Sequence, residues 1–348
     1  MDIVDINMNL HKYIFDRTKR HICISNNITH WIQLNADNIN SRNMKIINKY
    51  SKFLNQRKIS VITKCIEQKI NIVPILYQLD DDDIKLLIQM SFKYVNVYML
   101  RIFHNHIVDL ISCDKLIEYM MSVCENGHID VVKYLHQEIK LKKQDFQANN
   151  NYAYQRVCKN GHVNIVKYLH QEIKLTKEDF QSGNKLAYRW ACRNGHVNVV
   201  KYLHRKIKLT KEDFQSDGNH YACIWACQNG NIDVVKYLHQ EIGLTIQDFQ
   251  SGDNYACTAA CLNGHVNIVK YLHQEIKLTK QDFQSCSSCA CRWACLNGHI
   301  NIVKYLHREI GLTKEDFQSD ENYAYRNVIE SKHDNVVEYL LKEIGILS

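Results

Sequence analysis

The chain holds a single proline, Pro74, so neither a Pro-rich linker nor a disordered stalk can be drawn from it. It also lacks any apolar run near the roughly 20 residues that a membrane span requires, and no membrane partner is expected. Asp2 and Asp5 stand where a secretory signal would place basic residues. Together these absences predict an intracellular, cytoplasmic setting, with the nucleus left open. In that reducing environment the 14 cysteines are expected to be thiols that pack as small hydrophobes, not a disulfide framework. Missing too are a phosphate-cradling glycine loop, a nucleophile elbow and a His-Glu-x-x-His pair. No catalytic residue and no cofactor is assigned, and an enzyme is not expected.

Glutamate is absent from residues 1–60, which carry ten Lys/Arg against four Asp, a balance of +6 in a chain of net charge +7. Nucleic-acid or anionic-surface binding would therefore have to reside in that basic N-terminal region. This is the alternative to the function developed below. The ten basic residues are dispersed and form no dense patch, so nucleic acid is not the expected partner.

What the chain does have is a composition of 45% hydrophobic and 23% charged residues, that of a folded protein, and a repeat. NGHVNIVKYLHQEIK at 160–174 recurs with small changes from Asn126, Asn194, Asn229, Asn263 and Asn297, and as the worn copy SKHDNVVEYLLKEIG from Ser331. The steps are 34, 34, 35, 34, 34 and 34 residues, the extra one falling in the polar loop 216–220 where an insertion costs little.

Within a unit, Val163, Val166, Leu169 and Ile173 follow Asn160-Gly161 at helical spacing, with Ile165 and Tyr168 widening the stripe. This predicts an outer helix with one buried flank. The preceding run, such as YACTAACLN at 255–263, predicts a short inner helix of small residues ended by a left-handed glycine. In the polar connection, Thr176 with Asp179, flanked by Leu175 and Phe180, fits an N-cap with a hydrophobic staple. A short helical turn and an extended finger both remain open there.

Trp190-Ala191-Cys192-Arg193-Asn194-Gly195-His196, followed by Val199, Val200 and Leu203, resembles the ankyrin-repeat family, and the other units match in the same register. The resemblance implies a mainly α fold, an ankyrin-repeat α-solenoid of stacked helix-turn-helix units with finger-like connecting loops and a 34-residue period. It places GLTIQDFQSGDN, 243–254, in a β-hairpin finger. The chain departs from the family where Thr-Pro-Leu-His would open the inner helix. Seven such units span 119–348, the last a degenerate cap, and residues 61–118 read as degenerate capping repeats. Phe92 to Leu100 is placed 34 residues ahead of the first clear unit. The wording VVKYLHQ, in an Asn-, Ile- and Lys-rich chain, is similar to ankyrin proteins of giant DNA viruses of amoebae. That likeness implies a viral protein in the host cytoplasm, with a host factor as partner.

Cys124, Cys158, Cys192, Cys227, Cys261 and Cys295 share one repeat position, and Cys223, Cys257 and Cys291 another, which marks them as packing residues. Only Cys286 and Cys289 break register. They are the candidates for a metal, with Cys291 and His299 the residues that would have to complete a four-ligand zinc site, and free thiols are the expectation. One histidine set (His128, His162, His196, His265, His299) is expected to hydrogen-bond across the turn. The other (His136, His170, His204, His239, His273, His307) is expected at the outer surface.

The outer helix hardly varies between units, whereas two slots do: Lys159, Arg193, Gln228, Leu262 and Leu296 in one, and Asn151, Lys185, His220, Asn254 and Ser288 in the other. By resemblance these line the concave face through which ankyrin proteins bind partners. The expected protein is a monomeric interaction scaffold with those ten residues as its partner-binding set. Trp190, Trp225 and Trp293, in a slot the family fills with leucine, are expected to be core.

Overall fold

The structure, a computed structural model, describes residues 81–181, 186–215, 221–319, 326 and 328–346. The basic region 1–60 and the first of the degenerate units lie outside the described residues. Every regular element among those described is helical, and the protein is a helical-repeat solenoid. Contacts divide the chain into two compact units, one of 1–123 with 128–141 and one of 124–127 with 142–348.

In the first unit, helix Asp81–Lys93 buries Leu87, Ile88 and Phe92 and opens on three aspartates, which suit the positive end of its dipole. A turn then places Val95 in the left-handed region (φ 56°), and Asn96 caps helix Val97–Ile102 by accepting from the Met99 N–H at 3.1 Å. Val95 thus takes the role that Gly127 plays before helix Ile129–Gln137, and Asn96 that of His128. The offset is 32 residues, not the 34 expected for Phe92 to Leu100. The left-handed residue, not the apolar spacing, sets the register. The Tyr134 hydroxyl ties the two helices by donating to the Leu100 carbonyl at 2.8 Å.

In the second unit each period builds three helical pieces. Inner helices such as Leu186–Arg193, Tyr221–Gln228 and Ser285–Leu296 pack in succession on one another, because alanine and cysteine at the contact let backbones approach. An Asn-Gly turn with glycine at φ of 72 to 80° follows in most units. Then come nine-residue outer helices: Val163–Gln171, Val197–Arg205, Ile232–Gln240, Val266–Gln274 and Ile300–Arg308. Each buries four consecutive-turn residues, as Val199, Val200, Tyr202 and Leu203 do, worth about 1.5–3 kcal/mol apiece for the large aliphatic ones.

The polar connection is a third, short helix, for example Lys177–Gln181, Lys211–Gln215 or Lys280–Phe283, and not the β-hairpin finger that the family resemblance implied. The reason is local. The backbone N–H of Thr210 donates to the Asp213 carboxylate at 2.7 Å while the Asp213 N–H donates back to the Thr210 carbonyl, a closed box that starts a helix. Leu209 and Phe214 on either side are both sealed from solvent. Two tips among the described residues turn sharply. There Asn149, Asn150 and Asn151, and again Gly252, Asp253 and Asn254, form left-handed turns with φ of 52 to 62°. Asn, Asp and Gly are the residues that tolerate this conformation.

Candidate interaction surface

Besides the packing of the inner helices, repeat-to-repeat contact in the second unit includes three sets of side-chain hydrogen bonds made by polar residues that recur from unit to unit. The histidine after each glycine is the N-cap residue of an outer helix, yet its ring does not cap that helix. Instead Nε2–H of His162, His196, His265 and His299 donates to the carbonyl of Glu125, Lys159, Gln228 and Leu262, at 2.8 to 3.0 Å. Each acceptor is the last residue of the preceding unit's inner helix, whose carbonyls have no partner within the helix. The expected bond across the turn is therefore a bond between units. Where asparagine replaces histidine, Asn231 serves the same end, its amide donating to Cys192 and Arg193 carbonyls at 2.9 and 2.6 Å.

The second histidine set is half-buried, not free on the outer surface. Nδ1 of His170, His204, His239, His273 and His307 shares a hydrogen bond with the hydroxyl of Tyr202, Tyr237, Tyr271, Tyr305 and Tyr339 in the next unit, at 2.9 to 3.0 Å. Burial holds the imidazoles of His170, His204, His273 and His307 below their ordinary pKa, and raises the phenols of Tyr202, Tyr237, Tyr271 and Tyr305. In the third set the connecting helices are joined by Gln147 to Asp179, Gln181 to Asp213, Gln215 to Asp248, Gln250 to Asp282 and Gln284 to Asp316, with amide to carboxylate distances of 2.5 to 2.8 Å. Burial alone would raise the Asp213 carboxyl. Lys177 at 2.8 Å and the Thr210 N–H outweigh it and hold the group below the usual range.

The cysteines sit at the contacts their register predicts. Cys124, Cys158, Cys192, Cys227, Cys261 and Cys295 are fully buried, and burial pushes the Cys124 thiol up to about 12 and the Cys261 thiol well above its ordinary value. Cys223, Cys257 and Cys291 point their sulfurs at the Asp248, Asp282 and Asp316 carbonyls of the next connection, at 3.2, 3.7 and 3.4 Å. These are inert structural thiols. Of the four residues that a zinc site would need, Cys291 is thereby turned to Asp316 and His299 to Leu262. Cys289 lies 3.1 Å from Nη2 of Arg292, and the side chain of Cys286 lies outside the described residues. Among the described residues no three His, Cys, Asp or Glu side chains are grouped to hold a metal.

Lys159, Arg193, Gln228, Leu262 and Leu296 all lie at the last turn of successive inner helices, half-buried, one beside the next. The second slot is less uniform. Asn151 is 8% exposed and Asn254 is half-buried, both in left-handed tips, whereas Lys185, His220 and the side chain of Ser288 lie outside the described residues.

Trp190, Trp225 and Trp293 are half-exposed beside the first slot and not core as expected. Lys159 and Arg193 each stand 5.0 Å from the Trp190 ring, and Arg193 also stands 5.6 Å from Trp225. Trp190 and Trp225 are 5.8 Å apart, with Tyr221 5.1 Å from Trp225 and Arg189 5.4 Å from Tyr221. The sequence held a signal for this cluster. A basic residue three positions after Trp190 shares its helix face, so the pair stacks instead of burying the indole.

No helix among the described residues is long and apolar enough to cross a membrane. No curated protein matches the chain. A family model of ankyrin repeats in three copies matches residues 119–213 and 207–282. With the glycine-histidine register and the paired helices it covers, that match makes residues 119–282 ankyrin repeats.

Proposed function

We propose that the protein is a non-enzymatic scaffold that binds a partner protein through the exposed side of its inner helices. Ankyrin repeats in general mediate protein–protein interaction. One observation carries the reading to particular residues. Positions engaged in repeat-to-repeat bonds are nearly constant from unit to unit, whereas the half-exposed slot at Lys159, Arg193, Gln228, Leu262 and Leu296 changes in charge, size and polarity. Scaffold upkeep does not account for that variation; a surface cut to one partner does. Asn151, Lys185, His220, Asn254 and Ser288 flank it in sequence and extend the same set. A host factor is the partner that the giant-virus resemblance would imply.

The test is affinity purification from the native cell with the wild-type chain, with the triple variant Arg193→Glu, Gln228→Lys, Leu262→Lys, and with the outer-helix variant Lys201→Glu, Lys236→Glu, Lys270→Glu. Proteins recovered with the wild type and the outer-helix control, and lost with the inner-helix variant, are the expected result. Retention by the inner-helix variant moves the binding surface elsewhere.

A further inference from the structure

We infer that the inner-helix face around Trp190, Arg193 and Trp225 takes an acidic segment of the partner protein. This rests on the interaction reading above and gives it a chemistry.

The inner helices at 152–159, 186–193, 221–228, 255–262 and 289–296 contain no aspartate or glutamate. They carry Arg156, Lys159, Arg189, Arg193 and Arg292. Elsewhere in the fold the outer-helix lysines Lys201, Lys236, Lys270 and Lys304 lie over tyrosine rings, and other cations are matched by carboxylates of the chain itself: Lys143 with Asp179, Lys177 with Asp213, Arg205 with Glu241 and Arg308 with Glu343. Arg156 likewise reaches Glu125 at 3.6 Å. Lys159 and Arg193 differ. Among the described residues neither has a carboxylate within ion-pair distance, and both are held against indole faces.

That arrangement has two consequences for recognition. A guanidinium stacked on two rings is pre-positioned, so less rotamer freedom is lost when it meets a carboxylate. Trp, Tyr and Arg are also the residues from which interface hot spots are mainly built, and a half-buried stack excludes water around the charge. The segment that fits presents two carboxylates to Arg193 and Lys159 and an apolar group to the exposed side of Leu262 and Leu296. The partner's charge complements inner helices whose sequences carry basic and no acidic residues.

A single-stranded nucleic acid would also meet basic and aromatic groups here, but it needs open ring faces on which to stack. Trp190 is stacked on by Lys159 and Arg193, and Trp225 is flanked by Arg193, Trp190 and Tyr221. The rings are occupied by their own neighbours, which favours the acidic protein segment.

The experiment is a selection of random twelve-residue peptides displayed on phage against the full chain, followed by anisotropy titration of the enriched peptides. Synthetic versions with Asp and Glu replaced by Asn and Gln are titrated alongside. Enrichment of acidic peptides is expected, with affinity falling about tenfold or more on neutralising the peptide and by a similar factor in Arg193→Gln and Lys159→Gln. The outer-helix variant Lys304→Gln should bind as the wild type does. Both inner-face variants change half-exposed side chains, and thermal melts matching the wild type establish that they are folded. Enriched peptides that are not acidic but are lost in Trp190→Ala overturn the acidic assignment and leave the interaction reading standing. Enrichment indifferent to every inner-face variant overturns both. Displacement of the peptides by a thymidine oligonucleotide at lower concentration than by a glutamate-rich peptide overturns the assignment in favour of nucleic acid.

Discussion

Nε2–H of His196 donates to the carbonyl oxygen of Lys159 at 2.8 Å, joining residues 37 positions apart, and the ring passes directly over Gly161. A Cβ at Gly161 would stand 2.5 Å from Nδ1 of that ring, and Gly161 itself has φ of +80°. The recurring Asn-Gly-His triplet therefore needs its glycine for two reasons, the handedness of the turn and the space taken by the next unit's histidine.

Gly161→Ala should destabilise the protein by at least the roughly 1–2 kcal/mol of a left-handed alanine, with the collision added. His196→Ala removes the collision partner and one of the two donors to the Lys159 carbonyl, leaving the Asn194 side-chain amide at 2.7 Å, at a cost of about 1 kcal/mol or less. The double variant should thus cost less than the sum of the two, and urea unfolding of all three chains reads the difference. Strict additivity would mean that the histidine moves aside freely.

The His–Tyr rungs predict a pH dependence. His170, His204, His273 and His307 titrate below the unfolded value of 6.5 because burial disfavours their charged form. Their contribution is complete above that value and is lost as pH falls through it toward the folded pKa, because the unfolded chain takes up protons first. The melting temperature should fall between about pH 7 and pH 5. Replacing His204 by Gln should flatten that slope, while Tyr237→Phe should cost about 1 kcal/mol at pH 7.5. A melting temperature that is level across this range would remove the rungs from the stability of the fold.

Asp213 accepts from Thr210, Gln181 and Lys177 at once. Asp213→Ala should cost about 1–2 kcal/mol, the usual worth of a helix cap, in guanidinium or urea unfolding. Its folded pKa is lowered, so the stabilisation holds above the unfolded carboxylate value and disappears in acid, below about pH 4. The difference between the variant and the wild type should therefore narrow as pH falls below about 4 toward the folded pKa.

Thiol labelling separates the cysteines. Cys113 is exposed, whereas Cys158, Cys192, Cys227, Cys261 and Cys295 are buried with their thiols held in the protonated form. Brief treatment of the native protein with iodoacetamide, followed by peptide mass mapping, should modify Cys113 and leave those five intact until denaturant is added. Modification of Cys227 or Cys261 at the rate of Cys113 would show that the inner helices separate readily.

The helices, their turns and the burial of Phe180, Tyr168 and Cys192 were legible in the sequence, because 34-residue recurrence and helical spacing report which face each residue turns inward. The destination of polar side chains was not. His196 and His170 look alike on one unit, and only the neighbouring unit reveals that one faces a carbonyl and the other a phenol. For the same reason the indoles were misplaced. Trp190 occupies a leucine slot by register, but Arg193 on its own helix and Lys159 on the preceding one draw it to the boundary with water. The shifted register at Val95 escaped because nothing in the residue type announces a left-handed valine.

The unit at 326–346 has been pared on one side. It keeps His333, whose ring fills the space above Gly298, Tyr339, which serves His307, and Glu343, which serves Arg308. The residues that would serve a successor are changed: Lys332 stands where glycine would have to be, and Leu341, 39% exposed, stands in the histidine slot. Each kind of bond keeps its own sense along the chain, the histidine set donating to the preceding unit and the glutamine set to the following one, so a repeat array of this kind has polarity. Its two ends are chemically different surfaces. At Lys332 and Leu341 the residues that make the glycine–histidine and histidine–tyrosine contacts of the other units are both replaced, so those two bonds have no counterpart on that side of the unit.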